Sequence, residues 1–302
     1  MNTPLVGILY PGLAASPAVD SFVAALRALG YRDRETIRLA FCYSGADRTA
    51  LIAHAAELVA LRPQVIVAFA GEAIPVAVAA SNKIPVVSAA GDGDFVARGL
   101  AADWERPGGH FTGMNLDFSI AASVRVQILK VMCPSMRCVC VPYDPSFPAS
   151  PALLESISSI ATSLRIEVSP LPFRGDADFD GIDRYVRSNR AAAIVTAQGP
   201  LIHAHTRGFV GCAHRGGVPL AMGEPGTAEA GALLQVNVDV PKAAAASASF
   251  VDRILRGEHS GDIPIRRFSE MRRVGNARVA GALGIKPDPI ALACWGDIEF
   301  LY

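Results

Sequence analysis

Residues 64–80 read QVIVAFAGEAIPVAVAA, and the rest of the chain is organised around them. Residues 65–70 form an unbroken apolar run without alternation, which is typical of a strand covered on both faces in a parallel sheet. Gly71 and Glu72 interrupt this run, and the alanine-rich remainder predicts a helix. A buried strand that turns directly into a helix brings unpaired backbone N–H groups to the carboxyl edge of the sheet, where open α/β folds bind ligands. We therefore expect a binding surface at this edge.

The composition excludes several classes of partner. The 302 residues carry 28 Lys and Arg against 28 Asp and Glu, so the formal net charge is zero. Neither nucleic acid nor an anionic membrane surface is expected as a partner of a neutral chain. No apolar stretch of the sequence reaches the roughly 18 residues that a bilayer span requires. The length corresponds to about two domains.

The start of the chain and its cysteines bear on cellular location. Residues 1–13 lack a basic start and are interrupted by Pro4, Gly7 and Pro11, so they do not form a signal peptide. We expect either a protein that stays inside the cell or one whose signal has been removed. The six cysteines have no metal-ligand spacing, and buried free thiols are expected rather than disulfides. Free thiols fit poorly with an oxidising compartment.

Predicted strands and helices alternate along the chain in two successive series. The first series runs from a strand at 5–10 to a strand at 84–89, and the second from a helix at 119–131 to a strand at 232–236. A further helix is predicted at 242–255. Because right-handed crossovers leave few other topologies, each series predicts a doubly wound parallel sheet. We therefore predict an α/β fold of two doubly wound parallel-sheet lobes joined by a hinge.

Three crossings between the lobes are expected where one series stops and another element begins. They are placed at 116–119, at 237–241 and near 263–268. The resulting assignment is residues 1–117 plus about 241–262 for lobe 1, and residues 118–240 plus about 263–302 for lobe 2. The cleft between two such lobes is where a small ligand would bury most of its surface, and several linking strands would act as a hinge.

A set of segments, in order and with characteristic spacing, resembles a known family. The set includes LVGILYPGLAASPAVDSFVAALRALGY at 5–31, RPGGHFTGMNL at 106–116, YDPSFPAS at 143–150, FVDRILRGEHSGDIPI at 250–265 and NARVAGALGIKPDPIAL at 276–292. The chain resembles ABC transporter substrate-binding proteins related to the tryptophan/tyrosine-type binding protein. This resemblance implies a type I periplasmic-binding fold, extracytoplasmic ligand capture, and delivery to a membrane permease with its ATPase. We expect a periplasmic monomer without a cofactor.

Three positions depart from the pattern of that family. The family usually has proline where Phe95 stands, and asparagine where Asp144 and His110 stand. Phe95 and Asp144 fall in loops that face the presumed cleft. The aromatic amino acids bound by better-known members therefore do not carry over directly to this chain.

Candidate ligand-binding residues lie in loops at the carboxyl ends of the predicted strands. Lobe 1 supplies Tyr10, Ser16, Gly71, Glu72, Asp94 and Phe95, and lobe 2 supplies Tyr143, Asp144, Ser146, Phe147, Gln198, Glu224 and Asn237. Aromatic rings can sandwich a flat ligand, while helix N-termini and hydroxyls can bind a carboxylate. The four acidic side chains could bind an ammonium group. Four acids in one pocket would be costly unless some point away or a cation is bound.

Structural roles compete with ligand binding at several of these positions. Tyr10 and Phe147 could instead pack at the interface between the lobes. Asp94 could cap the turn at Gly93, and Glu72 could complement the dipole of its helix. The segment 198–200 could serve only as a strand-to-helix turn.

The leading functional prediction is a solute-binding component of an ABC-type uptake system. It binds an amino acid or an aromatic or carboxylate compound in the interlobe cleft by hinge closure, without catalysis. One alternative is a cytoplasmic small-molecule sensor on the same fold. Another is a cofactor-free racemase-type enzyme, which needs a cysteine at a strand's carboxyl end in both lobes. Cys42 alone comes close in the first lobe, and Cys138 and Cys140 lie within or before their strand.

Overall fold

The computed structural model describes residues 3–12, 16–45, 47–188, 192–286 and 288–302. The chain divides into two compact units, which are taken separately below. Unit 1 comprises Met1–Asp117 and Asp239–Glu270, and unit 2 comprises Phe118–Val238 and Met271–Tyr302.

Unit 1 is built on a six-stranded parallel sheet. With elements numbered in chain order, its strands are β1 (Leu5–Tyr10), β2 (Arg38–Tyr43), β3 (Val65–Ala68), β4 (Val86–Asp92), β5 (Phe111–Leu116) and β11 (Arg266–Phe268). Its helices are α1 (Pro17–Ala28), α2 (Arg48–Ala60), α3 (Ala70–Ala80) and α9 (Val240–Leu255). The strand order is β11-β5-β4-β3-β1-β2. Helix α1 packs against α9, and α2 packs against α3.

The segment 64–80 forms the centre of unit 1 as a buried strand followed by a helix. All four residues of β3 are buried between β1 and β4, which explains why its sequence is apolar without alternation. Helix α3 begins at Ala70, earlier than the alanine-rich run suggested. Ala70 has a φ of 65°, which few residues other than glycine adopt, so the chain turns abruptly at this point.

A β-bulge extends β4 beyond its predicted end. The register between β4 and β5 shifts between Ser88 and Gly91. The Ser88 hydroxyl accepts a hydrogen bond from the Gly91 N–H at 3.2 Å and donates one to the Met114 carbonyl at 2.6 Å. These two bonds compensate for ladder contacts that the bulge disrupts, and the strand continues to Asp92 at the carboxyl edge.

Unit 2 has a seven-stranded sheet. Its strands are β6 (Cys138–Tyr143), β7 (Glu167–Pro172), β8 (Ala192–Val195), β9 (Leu220–Met222), β10 (Leu234–Val238), β12 (Met271–Asn276) and β13 (Glu299–Leu301). The strand order is β13-β12-β10-β9-β8-β6-β7. Its helices are α4 (Phe118–Met132), α5 (Ser150–Ser163), α6 (Phe179–Ser188), α7 (Pro200–Ala204), α8 (Thr206–Gly216), α10 (Ala277–Ala282) and α11 (Pro289–Ala293). The strands pair in parallel except β10 with β12, which are antiparallel.

The two units repeat one strand order. Read from β2, the first five strands of unit 1 are ordered 2-1-3-4-5, and β7, β6, β8, β9 and β10 give the same pattern in unit 2. In such a sheet the chain reverses direction between the first and third strands, and ligands bind at the carboxyl ends beside this switch point. The switch points lie between β1 and β3 in unit 1, and between β6 and β8 in unit 2.

The third passage of the chain between the units lies after Glu270, two residues beyond the segment 263–268 near which it was predicted. The reason is β11, which pairs with β5 and so belongs to the sheet of unit 1. Two of its three residues are exposed arginines, so no apolar run indicates a strand there. The other two passages follow Asp117 and Val238.

Among the described residues, no helix is long and apolar enough to cross a membrane. The six cysteines are free thiols in this structure. Cys133, Cys138, Cys140 and Cys212 are buried, as expected. Cys42 is half-buried, and Cys294 is exposed because it follows the short surface helix α11.

Candidate functional site

Tyr10 ends β1 beside the switch point of unit 1. Its ring makes edge-to-face contacts with Phe69 and Tyr43, at centroid distances of 6.0 and 6.2 Å. A Cβ atom on Gly12 would lie 2.6 Å from the Tyr10 ring, so the ring packs over the backbone of the following loop. Tyr10 therefore has a packing role, but it is only half-buried and part of its side chain is accessible to solvent.

Ser16 has a structural role as the N-cap of α1. Its hydroxyl accepts a hydrogen bond from the Ala18 N–H at 3.3 Å, and Pro17 occupies the first helical position. This is the favoured arrangement for a helix start. Ser16 is buried, so its predicted contact with a ligand competes with an existing hydrogen bond.

Gly71 and Asp92 meet at the carboxyl edge of unit 1. A Cβ atom on Gly71 would lie 2.1 Å from Oδ1 of Asp92, so the glycine leaves the space that this carboxylate fills. Burial raises the pKa of Asp92, and the charge of Arg98 partly opposes the increase. Arg98 also donates to the carbonyls of Asp92 and Gly71, at 3.1 and 3.2 Å. Glu72, the predicted acidic contact, is exposed on the next position of α3.

Asp94 caps a turn and Phe95 packs in the core, and both of these structural roles compete with ligand binding. Oδ1 of Asp94 accepts hydrogen bonds from the N–H groups of Val96 and Ala97, at 2.9 and 3.0 Å, and so caps its own turn. Phe95 is fully buried, with its ring 5.2 Å from Phe111 and 6.0 Å from Trp104. An apolar ring in this position contributes to the core, which argues against its predicted contact with a ligand.

The end of β6 and the loop that follows it carry four of the predicted residues. Tyr143 is half-buried at the end of the strand. Oδ1 of Asp144 accepts hydrogen bonds from the N–H of Ser146 at 2.8 Å and from its hydroxyl at 2.6 Å, which closes a tight turn. The Phe147 ring approaches Gly199, where an added Cβ would lie 3.2 Å away. The structure therefore brings the β6 loop next to the loop that follows β8.

Glu224 lies at the ends of β8 and β9 with both carboxylate oxygens bound to backbone amides. Oε1 accepts a hydrogen bond from the Gly199 N–H at 2.9 Å, and Oε2 from the Gly223 N–H at 3.1 Å. The side chain is buried, and burial raises its pKa. The nearby charge of Arg125 and the bond from Gly199 act in the opposite direction and favour the ionised form.

Arg125 is a fully buried cation that spans the middle of the unit 2 sheet. It projects from α4 and donates through Nη1 to the Thr196 carbonyl at 2.6 Å and through Nη2 to the Val236 carbonyl at 3.2 Å. These carbonyls lie at the end of β8 and in β10, on either side of β9. Burial lowers the pKa of Arg125 to about 10, and Glu224 opposes this shift. Arg125 therefore stays charged at neutral pH.

Gly223 provides the space in which these polar groups meet. A Cβ atom at Gly223 would lie 2.1 Å from Nη2 of Arg125 and 2.6 Å from Oε1 of Gln198. Within the described part of the chain, Oε1 of Gln198 and Oγ1 of Thr196 are buried without a hydrogen-bond partner. Both atoms can accept hydrogen bonds, so the edge has spare acceptor capacity.

Both polar atoms of the Asn237 side chain form hydrogen bonds within unit 2. Its Oδ1 accepts a hydrogen bond from Nε2 of Gln235 at 2.9 Å, and its Nδ2 donates to the Val238 carbonyl at 3.0 Å. Gln235 in turn accepts from the Thr227 N–H at 3.1 Å. The predicted contact of Asn237 with a ligand therefore requires a change in this network.

Four residues of these edges were not predicted from the sequence: Asp92, Arg125, Thr196 and Gln235. A signal for Arg125 exists in the helix that contains it. Ala121, Ala122, Ile128 and Leu129 form the buried face of α4, and Arg125 occupies the same face at helical spacing. An arginine on an apolar face is almost always paired, and this identifies it as a candidate.

Two α/β units with the 2-1-3-4-5 order and three connecting passages define the class of type I periplasmic-binding-protein-like folds. The chain belongs to the family of ABC transporter substrate-binding proteins, because the model of that family matches residues 8–292. Both the predicted resemblance and the predicted fold class are confirmed. Proteins of this family bind small solutes for ABC transporters and are in general extracytoplasmic.

Several characterised proteins are similar over nearly the whole chain. A tyrosine-binding protein from Clostridioides difficile (strain R20291) is 23% identical over 286 residues, which cover 91% of this chain and 79% of that protein. A structure from Streptococcus pneumonia in complex with L-Trp has a TM-score of 0.79 at 22% identity, covering 98% of this chain and 100% of the other. A ligand-free, open substrate-binding protein with adhesive properties from Clostridium difficile has a TM-score of 0.82 at 20% identity, covering 99% of each chain.

Proposed function

We propose that this protein captures a small organic ligand, either an amino acid or an aromatic or carboxylate compound, and delivers it to an ABC permease with its ATPase. The observation that carries the proposal is the polar and aromatic cluster at the carboxyl edge of unit 2. There Tyr143, Phe147, Gln198 and Glu224 lie around the strand ends where α/β sheets bind ligands. The family membership and the names of two relatives favour an aromatic amino acid.

The proposal includes location and assembly. We propose that the protein acts in the periplasm as a monomer, without a cofactor, a nucleic-acid partner or a catalytic step. That the ligand lies between the lobes and is retained by hinge closure stays a prediction. Small-angle scattering with and without ligand would test it, since closure should reduce the radius of gyration.

The thiols of unit 2 argue against the racemase alternative. Such an enzyme needs an ionisable thiol at the carboxyl end of a strand. Cys138 begins β6, and Cys140 lies inside the same strand. Burial raises the pKa of Cys140 to about 12, so this thiol stays protonated at neutral pH.

Isothermal titration of the purified protein against amino acids and small aromatic acids tests the proposal directly. The panel includes L-tyrosine and L-tryptophan, the ligands named for the two relatives. At least one compound is expected to bind with a 1:1 stoichiometry. A folded, monodisperse protein that binds no compound of the panel would contradict the proposal.

Tyr143→Ala is expected to weaken affinity for the ligand found in that titration by about tenfold or more, because aromatic contacts dominate many binding sites. The melting temperature is expected to change little, since the ring is half-buried. Tyr302→Ala is the control, because Tyr302 is exposed in the same unit. A large decrease in melting temperature with unchanged affinity would mean that Tyr143 only packs.

A further inference from the structure

The sheet of unit 1 has one edge strand that lacks the usual protection against pairing with another chain. The edge strands of the two sheets are β2 and β11 in unit 1, and β7 and β13 in unit 2. Strand β11 carries two exposed arginines, β7 contains Pro170 and Pro172, and β13 has only three residues. Charges, prolines and short strands of this kind protect a sheet edge. Strand β2 has six residues, RLAFCY, with one charge at its start, no proline and an unbroken register with β1.

The open part of this edge consists of the backbone groups of Phe41 and Tyr43. Strand β2 pairs in parallel with β1, and Arg38 donates its N–H to the carbonyl that precedes β1, at 2.8 Å. Because backbone groups alternate in direction along a strand, the N–H and C=O groups of Phe41 and Tyr43 point away from β1. The N–H of Leu39 also points away, but it donates to Oδ1 of Asp33 at 2.8 Å. The edge that can accept another strand therefore begins at Phe41.

A groove with apolar and charged walls runs along this edge, between β2 and α1. Its volume is about 290 Å³, and its lining includes Asp20, Val23 and Arg27 of α1 and the rings of Phe41 and Tyr43. The two rings are stacked, with centroids 6.0 Å apart and planes 7° from parallel, and Phe41 is 39% exposed. An exposed aromatic ring beside an open strand edge offers apolar contacts to the side chains of an added strand.

The charges of this groove are complementary to those of a second copy of the groove. Asp20 and Arg27 are both exposed and lie about two turns apart on α1. Burial and the negative charge of Asp20 raise the pKa of Tyr43, so Asp20 lies near the carboxyl end of β2. Because α1 leads back from the end of β1 to the start of β2, Arg27 lies towards the start of β2. A copy related by a two-fold axis therefore presents its Arg27 to Asp20 and its Asp20 to Arg27.

The contact between Asp33 and Leu39 favours one register for such a pair. A two-fold axis at Phe41 would require the N–H of Leu39, which already donates to Asp33. An axis at Cys42 instead places Phe41 of one copy opposite Tyr43 of the other, and uses only open backbone groups. Opposite residues in this register exchange both backbone hydrogen bonds, and their side chains lie on one face of the sheet. The aromatic rings of the two copies then meet in the joined grooves.

We propose that two copies of this chain associate by antiparallel pairing of their β2 edges about Cys42, with Asp20 of each copy facing Arg27 of the other. The zero net charge of the chain does not oppose this association. Only two residues of each edge pair, so the association is reversible. The single chain remains the form proposed for delivery to the permease, and the pair is a second state of the same protein. Its formation does not depend on the ligand.

Sedimentation velocity of the full chain, from about 1 to 200 µM, tests this association. The sedimentation coefficient is expected to increase with concentration towards the value for two copies. Because the paired edge is short, we expect a dissociation constant of roughly 10–100 µM. A chain that stays single over the whole range would overturn the inference and would leave the edge to a segment of another protein.

Phe41→Lys tests whether the β2 edge is the surface that pairs. A lysine on the edge is expected to weaken association about tenfold or more, because its charge would be buried between the copies. Leu61→Lys replaces another exposed apolar residue of unit 1 and should leave association within about twofold. Far-UV circular dichroism establishes that each variant is folded. Unchanged association of a folded Phe41→Lys would mean that the copies meet through another surface, which would overturn the inference.

An exchange of the two charges tests the two-fold geometry and uses exposed positions only. Asp20→Arg and Arg27→Asp are each expected to weaken association roughly tenfold, because each substitution changes two symmetry-related contacts. The double variant restores both complementary contacts at the original net charge, so its dissociation constant should return to within about threefold of that of the unmodified protein. These variants keep the inference testable if Phe41→Lys does not fold. A double variant that associates no better than the single ones would overturn the proposed pairing.

Discussion

Arg125→Met is expected to lower the free energy of unfolding of unit 2 by about 3–5 kcal/mol at pH 7. The substitution removes a fully buried cation that donates to the carbonyls of Thr196 and Val236. Both carbonyls lose these donors, and Glu224 loses the charge that opposes its desolvation. Methionine fills much of the same volume, so the loss is expected to come from polar groups and not from a cavity.

The size of this loss is expected to depend on pH through Glu224. Burial raises the pKa of Glu224 in the folded protein, and the charge of Arg125 limits the increase. Without Arg125 the folded pKa rises further, so the folded variant binds a proton more readily than the unfolded chain. Stability is then gained as the pH falls through the raised folded pKa towards the unfolded value. The difference between the variant and the unmodified protein should therefore decrease from pH 7 to pH 5.

Urea denaturation followed by tryptophan fluorescence measures this difference. The chain has two tryptophans, and Trp295 lies against the core of unit 2 whereas Trp104 lies in unit 1. A Trp104→Phe background therefore makes Trp295 the reporter of unit 2. Arg184→Met, an exposed arginine of the same unit, is the control and should change stability by less than about 0.5 kcal/mol at either pH. A loss from Arg125→Met that is equally small, or equal at both pH values, would contradict this account.

Local sequence predicted the architecture well because strands of a parallel sheet are covered on both faces. The run around Val65 can be apolar without alternation only if helices lie on both sides, and the alternation of such runs with helices then restricts the topology. The edge strand β11 was not predicted, because two of its three residues are exposed arginines and not the apolar residues that indicate a strand. Its pairing with β5 depends on residues more than a hundred positions earlier, which a local pattern does not contain.

The candidate site was less predictable, for physical reasons that differ between residues. Phe95 was expected in a loop that faces the presumed cleft, but distant residues, Phe111 among them, provide a core position for its ring. Asp92 lies beyond residue 89, where its strand was predicted to end, because a β-bulge keeps the strand intact up to this point. A turn-capping role for Asp94 could be named from the sequence as an alternative to ligand binding because that interaction is local. Sequence patterns reveal contacts between near neighbours, and the polar network around Arg125 joins segments distant in the chain.

Gly113→Ala is expected to destabilise unit 1 by about 3 kcal/mol or more, for two reasons that add. Gly113 has a φ of 132°, which a residue with a side chain rarely adopts. An added Cβ would also lie 2.4 Å from the Ser88 carbonyl oxygen and 2.5 Å from the Ser88 nitrogen. These are backbone atoms of the paired strand at the β-bulge, so they cannot move without breaking the register that places Asp92 at the carboxyl edge.

Gly99→Ala separates the two causes in the same unit. Gly99 has a φ of 70°, but an added Cβ there would have nothing within 4 Å, so only the backbone conformation is penalised. We expect this control to lose about 1 kcal/mol. Urea denaturation in a Trp295→Phe background, with Trp104 as the reporter of unit 1, compares the two variants. Equal losses of unfolding free energy in the two variants would mean that the close approach of β4 and β5 adds nothing to the destabilisation by Gly113→Ala. A clearly larger loss of unfolding free energy for Gly113→Ala would mean that β4 lies too close to position 113 to accept a side chain. Glycine would then be needed there for the bulge that places Asp92 at the edge of the sheet.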